Sequence, residues 1–401
     1  MSATPITPGE ETVVPRARAL PIFDPLLLLA AVGLVVCSCE TLKGATSHAI
    51  AGHPLYYVQR QALFGGIGLL LAVILSRIDY SRLREFKYAL FGIMVALNLV
   101  VYAMPPIQNA RRWIPLPFLQ FQSSEFGKVL LIVALAGFAV DRARRIHEWR
   151  TTVRIMLLAI VAALLVIPQP DLGTGMVYVA VGFSILFFAG TSFKQITALV
   201  TMFVVAIAIV LAGAPAAGVH VLKGYQVQRL TAFLHPNGCP KPTPQNPIDP
   251  CYQLQQSQIA IGSGQKTGRG NNATQTKLNF LPANDTDFVF AAVGETYGFV
   301  GAVVVLSLYA LLIWRALRIL TMSKNLFGTL IAAGILAMLM FQIFVNVGMT
   351  IGIMPITGVP LPLLSYGGSS VIVTFIAVGL LQSIYIQARM AASGKARTLI
   401  S

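Results

Sequence analysis

Apolar runs of about 20 residues recur along the 401-residue chain, separated by mostly short polar connections. A helix of that length crosses the hydrocarbon core of a bilayer. The pattern predicts ten spans, at 25–43, 58–76, 88–104, 123–140, 154–168, 175–190, 195–214, 288–314, 326–350 and 368–388. The expected fold class is therefore an all-α polytopic membrane protein with ten transmembrane helices. One connection differs from the rest: residues 215–287, between the seventh and eighth spans, are rich in Gly, Pro, Asn and Gln. Within it, 221–230 and 252–260 predict short helices, and Gly262, Gly264, Gly268 and Gly270 a flexible stretch. No strand–helix context makes that stretch a phosphate-binding loop. The loop closes on Asp285-Thr286-Asp287, directly before the apolar Phe288-Val289-Phe290. A carboxylate at such a boundary loses part of its water shell, which is costly unless it serves a function.

Composition excludes a soluble globular class, with 56% hydrophobic and 11% charged residues and a mean hydropathy of +0.74. The net charge of +15 is strongly sided, with 18 of the 29 Lys and Arg in alternate connections and the two termini. Short basic connections stay in the cytoplasm. That puts 77–87, 141–154, Lys194, 315–324 and both termini inside, and 44–57, 105–122, 169–174, 215–287 and 351–367 outside. Sidedness accounts for the charge without a nucleic-acid partner. The organisation expected is a cytoplasmic tail at 1–24, a membrane domain at 25–391 and a cytoplasmic tail at 392–401. No cleavable leader is expected, because the first apolar run has no cleavage site behind it. Cys37 and Cys39 read as small apolar fillers of the first span. Cys239 and Cys251 lie in the long loop, where an extracytoplasmic location would permit a disulfide.

Orientation was fixed by inner Lys and Arg, yet the unusual polar groups all fall on the other side: Arg111 and Arg112, Glu125 and Lys128, Asp171, and Asp287. The inner half offers no comparable set. Each group has a structural alternative. Glu125 and Lys128, spaced i, i+3, could simply neutralise each other. Asp171 could cap the sixth span, and Arg111 and Arg112 beside Trp113 could anchor the interface. Asp285 could cap the eighth span, with Asp287 in its first turn. The helix dipole would lower the Asp287 pKa, and desolvation would raise it.

Together, such groups suit an anionic, lipid-linked substrate. Arg and Lys would hold a pyrophosphate and stabilise the charge growing on it as it leaves. One carboxylate would act as general base on an attacking sugar hydroxyl. The leaving group is acidic already and needs no acid partner, and a single displacement inverts the anomeric carbon.

Several segments then resemble one family. Residues 346–370, from Asn346-Val347-Gly348 through Pro360-Leu361-Pro362 to Ser365-Tyr366-Gly367-Gly368-Ser369-Ser370, resemble the signature of the SEDS proteins (shape, elongation, division and sporulation). Arg111-Arg112-Trp113-Ile114, residues 122–128, Gln169 to Thr174, residues 256–264 and Leu281 to Phe288 match in order. Thr274-Gln275 and Thr357 to Pro362 look more like the elongation (RodA) branch than the division (FtsW) branch. The resemblance implies a ten-helix peptidoglycan glycosyltransferase that polymerises lipid II outside the bacterial plasma membrane, with a class B penicillin-binding protein as partner. It implies Asp287 as the essential acid, Glu125 and Lys128 as an important fourth-helix pair, and Arg112, Asp171, Ser365, Tyr366, Gly367 and Ser369 as substrate-binding positions. Three departures stand out: Ala283 where the family often has Glu, Asp285 where it often has His, and Pro168 where the elongation branch often has Lys. A carboxylate at 285 could raise the Asp287 pKa by repulsion, or join it in binding a divalent cation such as Mg or Mn. A flippase for the same lipid is the alternative within the family. A flippase needs polar groups on both leaflets or a continuous path, and clustered outer charges favour catalysis.

Overall fold

The computed structural model describes residues 23–46, 53–105, 111–115, 120–210, 229, 232, 249–278 and 280–398, with side chains to 393. The bundle comprises α1 (Pro25–Ala45), α2 (Tyr56–Arg77), α3 (Lys87–Val100), α4 (Ser123–Asp141), α5 (Trp149–Val166), α6 (Leu172–Phe188), α7 (Phe193–Ala208), α8 (Pro250–Gly264), α9 (Thr274–Lys277), α10 (Val289–Met322), α11 (Leu326–Ile351) and α12 (Gly368–Thr398). A two-stranded antiparallel ribbon, β1 (Trp113–Pro115) and β2 (Gln120–Gln122), pairs Trp113 with Gln122.

Among the described residues seven helices are long and apolar enough to cross a membrane: α1, α2, α4, α5, α10, α11 and α12. Three more, α3 with its 3₁₀ extension, α6 and α7, are apolar but shorter. Helix α4 is mostly, and α12 almost wholly, buried at the centre of the bundle, and α2 packs along α12. There the backbones nearly touch: a Cβ on Gly379 would lie 2.8 Å from Ala72 Cα. Such close approach is how helices associate in lipid, where no hydrophobic gain separates one apolar face from another. Leu29, Leu70, Leu164 and Phe344 point outward and are more than half exposed. An apolar surface that extensive requires hydrocarbon around it.

The helix ends follow local chemistry. Asp24 caps α1, accepting at 3.2 Å from the Leu26 and Leu27 amides, with Pro25 at the first position. Gly352 ends α11 in the left-handed conformation, φ +87°. Helix α10 differs from expectation in two ways. It continues to Met322, so Arg315 and Arg318 are helical rather than in a connection. It also breaks at Gly298, at φ +63° and ψ −157°. The expected helix at 252–260 is present as the longer α8; at 221–230 only Arg229 is described.

Contacts sort the connections into two ends. At one end, Arg84 and Lys87 pair with Asp141, Tyr80 hydroxyl donates to Asn325, and Gln387 donates to Asp79. The α1 start belongs there too: Arg315 pairs with Asp24, both buried, and Gln382 bonds the Asp24 backbone twice at 2.9 Å. The sequence placed no polar set here comparable to the one at the other end, and this buried ion pair is what the structure adds. The pair spends its charge on itself, joining α1, α10 and α12. The other end carries the ribbon, α8, α9 and the Asp287 turn.

Candidate active site

Asp287 sits in a turn over 282–288 that α10 follows, beginning at Val289. The expected capping does not occur: Phe288 occupies the cap position, without a side-chain cap. Instead Ala283, at φ +54°, accepts from the Thr286 and Phe288 amides and closes the turn. A left-handed non-glycine costs about 1–2 kcal/mol. It is held by what surrounds it. Asn346 of α11, fully buried, donates to the Asp287 carbonyl at 2.9 Å and the Val359 carbonyl at 2.8 Å. Ser365 donates to the Thr286 carbonyl at 2.6 Å while accepting from the Leu361 amide at 2.8 Å. The Tyr366 amide donates to the Asp285 carbonyl at 2.8 Å.

Around the Asp287 carboxyl, Arg112 and Arg229 supply positive charge and Asp171 negative charge. Burial pushes the Asp287 pKa above the usual carboxylate range, the two guanidiniums oppose that rise, and Asp171 adds to it. Gly358 makes room here; a Cβ on it would lie 3.5 Å from Asp287 Oδ2 and 3.6 Å from Arg229 Nη1. Arg112 stacks 4.1 Å over the Trp113 ring, and its Nε is buried without a hydrogen-bond partner among the described residues. Asp171 does two things. Oδ1 caps α6 through the Thr174 amide at 3.1 Å, and Oδ2 accepts from Ser124 at 2.7 Å and Gln122 at 3.1 Å.

Glu125 and Lys128 form a buried ion pair at 2.7 Å. They lie on α4 behind Ser124, whose carbonyl accepts from Tyr178 at 2.9 Å. The fold brings Arg112, Asp171 and Asp287 together and leaves Glu125 and Lys128 paired beneath. Ser365 and Ser369, expected to bind substrate, spend their hydroxyls on backbone. Ser369 donates to the Gln120 carbonyl at 2.8 Å and accepts from the Gln122 amide at 3.1 Å, tying β2 to α12. The Tyr366 ring lies 4.9 Å from Tyr57, and burial pushes its pKa up to about 12. Among the described residues, Gly367 has only the Ser370 side chain within 4 Å of where a Cβ would sit, at 3.8 Å.

Asp285 keeps a different environment from Asp287. Its pKa is raised by burial and further by Asp287, against a lowering bond from its own amide. Asp285 and Asp287 repel each other, which adds to the rise at Asp285, and Asp171 brings a further negative charge to Asp287. The described residues contain no group of three or more His, Cys, Asp or Glu that could hold a metal. With two guanidiniums facing Asp287, the donor set does not fit a resident cation. Cys251 is disulfide-bonded, Cys37 and Cys39 are free, and Cys239 lies outside the described residues.

Three residues of this region were not singled out from sequence. Arg229 carried no signal beyond its charge in a polar loop. Asn346 lay within the matched signature without a role. Glu295 is an acid inside an apolar run, the same signal that drew attention to Asp287.

The fold and this cluster define a polytopic helical membrane protein with an acid–guanidinium site at one end of its bundle. Comparison with known proteins narrows this class. The family profile of FtsW, RodA and SpoVE, described as a cell cycle protein, matches residues 20–390. The peptidoglycan glycosyltransferase MrdB of Escherichia coli K12 is 34% identical over 370 residues, covering 92% of this chain and 95% of that one. A probable peptidoglycan glycosyltransferase FtsW of Thioalkalivibrio sulfidiphilus is 34% identical over 384 residues, covering 94% and 92%. A chain from a peptidoglycan synthase complex, studied for its coordination of polymerization and crosslinking, superposes with a TM-score of 0.73 at 31% identity, covering 91% and 98%. The chain belongs to the FtsW/RodA/SpoVE family, the SEDS proteins.

Proposed function

We propose that this protein polymerises lipid II into glycan strands at the outer face of the bacterial plasma membrane, with Asp287 as general base. It is a peptidoglycan glycosyltransferase, as its curated relatives are named. The observation that carries the mechanism is the convergence of Asp287 with Arg112 and Arg229. Asp287 takes the proton of the acceptor sugar hydroxyl, whose oxygen bonds the anomeric carbon of the donor. The bond from that carbon to the pyrophosphate oxygen breaks, its electron pair leaving with the pyrophosphate. Arg112 and Arg229 hold the departing anion and stabilise its charge. A raised pKa strengthens the base, provided it stays ionised near neutrality, which the same guanidiniums favour. Asp171, Ser124 and Gln122 hold the neighbouring wall, and the Glu125–Lys128 pair supports it from within α4.

Purified lipid II and the purified protein with a class B penicillin-binding protein test this. Wild type should yield polymer and Asp287→Ala none at equal expression. Full-length polymer from Asp287→Ala would sink the assignment. Lipid translocation in vesicles that survives this change, without polymerisation in wild type, would support the flippase instead.

All ten apolar helices cross the membrane in this reading, with the 1–24 and 392–401 tails and the basic connections cytoplasmic. In spheroplasts lacking Cys37 and Cys39, an impermeant maleimide should label Lys266→Cys directly and His147→Cys only after lysis. The reverse pattern would invert the topology. The similar chain's place in a synthase complex supports a partner transpeptidase. An elongation role is favoured over division by Thr357 to Pro362; depletion should round the cells, whereas filaments would mean division.

A further inference from the structure

Glu295 lies in the first part of α10, two turns beyond Asp287, and is completely buried. No Lys or Arg among the described residues forms an ion pair with it. A buried carboxylate without a cation is costly unless donors surround it. Here they do. Oε1 accepts from the Gln275 amide at 2.8 Å, and Oε2 accepts from the Thr276 amide at 2.8 Å and from the Thr276 hydroxyl. Both oxygens are therefore committed to one short segment, α9, which belongs to the long loop and not to the bundle.

That segment in turn holds the catalytic turn. The Thr276 carbonyl accepts from Asn284 Nδ2 at 2.8 Å, and the Gln275 carbonyl accepts from the Leu281 amide at 3.1 Å. Asn284 is itself buried and lies three residues before Asp287; Leu281 is fully buried directly before the same turn. The path runs from a rigid helix through a side chain into α9, and from α9 by two bonds into the turn. From the opposite side, Asn346 and Ser365 grip the same turn at 286 and 287. The turn contains a left-handed alanine and has no helix-capping bond of its own, so its shape depends on these two grips.

We propose that Glu295 is a positioning residue, which acts through Thr276 and Asn284 to set where the Asp287 carboxyl stands relative to Arg112 and Arg229. This rests on Asp287 being the base. Glu295→Gln preserves size but presents an NH₂ where one oxygen must accept, so one side of α9 is released. A displacement of about 1 Å at a reacting group costs on the order of a hundredfold in rate.

The test uses the full chain with its partner transpeptidase and purified lipid II. Glu295→Gln should lower kcat on the order of ten- to a hundredfold, leave KM within about twofold, and move the acid limb of the pH–rate profile. Glu295→Asp, which keeps the charge but shortens the reach, should fall between. Asn284→Ala removes a more distant link of the same path. It should lower kcat, and the Asn284→Ala/Glu295→Gln double variant should lose no more than the worse single one, because residues in series do not add. Wild-type kcat and pH profile in folded Glu295→Gln would overturn the proposal. Should that variant fail to fold, wild-type kcat in Asn284→Ala would overturn it equally. Activity retained by Asp287→Ala would refute the base itself. Loss there with wild-type kcat in both Glu295→Gln and Asn284→Ala would refute only the positioning role.

Discussion

At the scale of single residues, the cluster sets one carboxyl against two guanidiniums. Burial raises the Asp287 pKa and Arg112 and Arg229 lower it, so removing either arginine should raise it further. The proposed role of Asp287 as base requires it ionised, so the acid limb of kcat/KM should then move to higher pH. Arg112→Ala and Arg229→Ala should each shift it by about one pH unit and weaken substrate binding. An unmoved limb, or one moved to lower pH, would place the arginines away from the base. Sequence made Asp287, Arg112 and Asp171 legible because a charge at a lipid boundary is conspicuous. It left Arg229 obscure, since a charge within a polar loop is ordinary until the fold carries it to Asp287. Ser365 and Ser369 have a structural task that the sequence did not show. The resemblance implies contact with substrate at these motif positions, and in the structure their hydroxyls hold backbone.

At the scale of elements, α10 decides where the site stands. Its break at Gly298 lets α8 and the following loop dock against it. The Phe299 amide donates to the Gln265 carbonyl at 2.9 Å and Val300 to Lys266 at 3.1 Å, in place of the helical partners the break removes. A Cβ on Gly298 would lie 2.3 Å from the Gly268 nitrogen, in a backbone region that is essentially glycine-only. Gly298→Ala should cost on the order of 3 kcal/mol, read as a lowered Tm in detergent. An unchanged Tm would mean that the loop does not dock there. The run at 288–314 announced a span, but periodicity carries no mark for a break satisfied by a distant loop. The same limit explains the end of the helix: Arg315 read as a connection because charge normally stops a span, yet Asp24 neutralises it inside.

At the scale of the whole molecule, the two ends of the bundle do different work. The Asp24–Arg315 pair with Gln382 knits three helices at the end opposite the site. Asp24→Ala leaves a buried guanidinium without its counter-charge and should destabilise by about 3–5 kcal/mol. Replacing both partners by apolar residues, Asp24→Leu with Arg315→Met, should recover most of that loss in thermal unfolding. A double variant as unstable as the single one would show that the pair does more than neutralise itself.

The sequence by itself determined the class, a helical polytopic membrane protein, because hydrophobic length is a property of the chain read locally. It also marked Asp287, since desolvation follows from position beside an apolar run. Only the tertiary structure decided what surrounds that acid. Arg229, Asn346 and Glu295 are separated from it by 58, 59 and 8 residues and reach it through loop docking and helix packing. Contacts of that kind depend on which surfaces fit in three dimensions, and no periodicity along the chain encodes them.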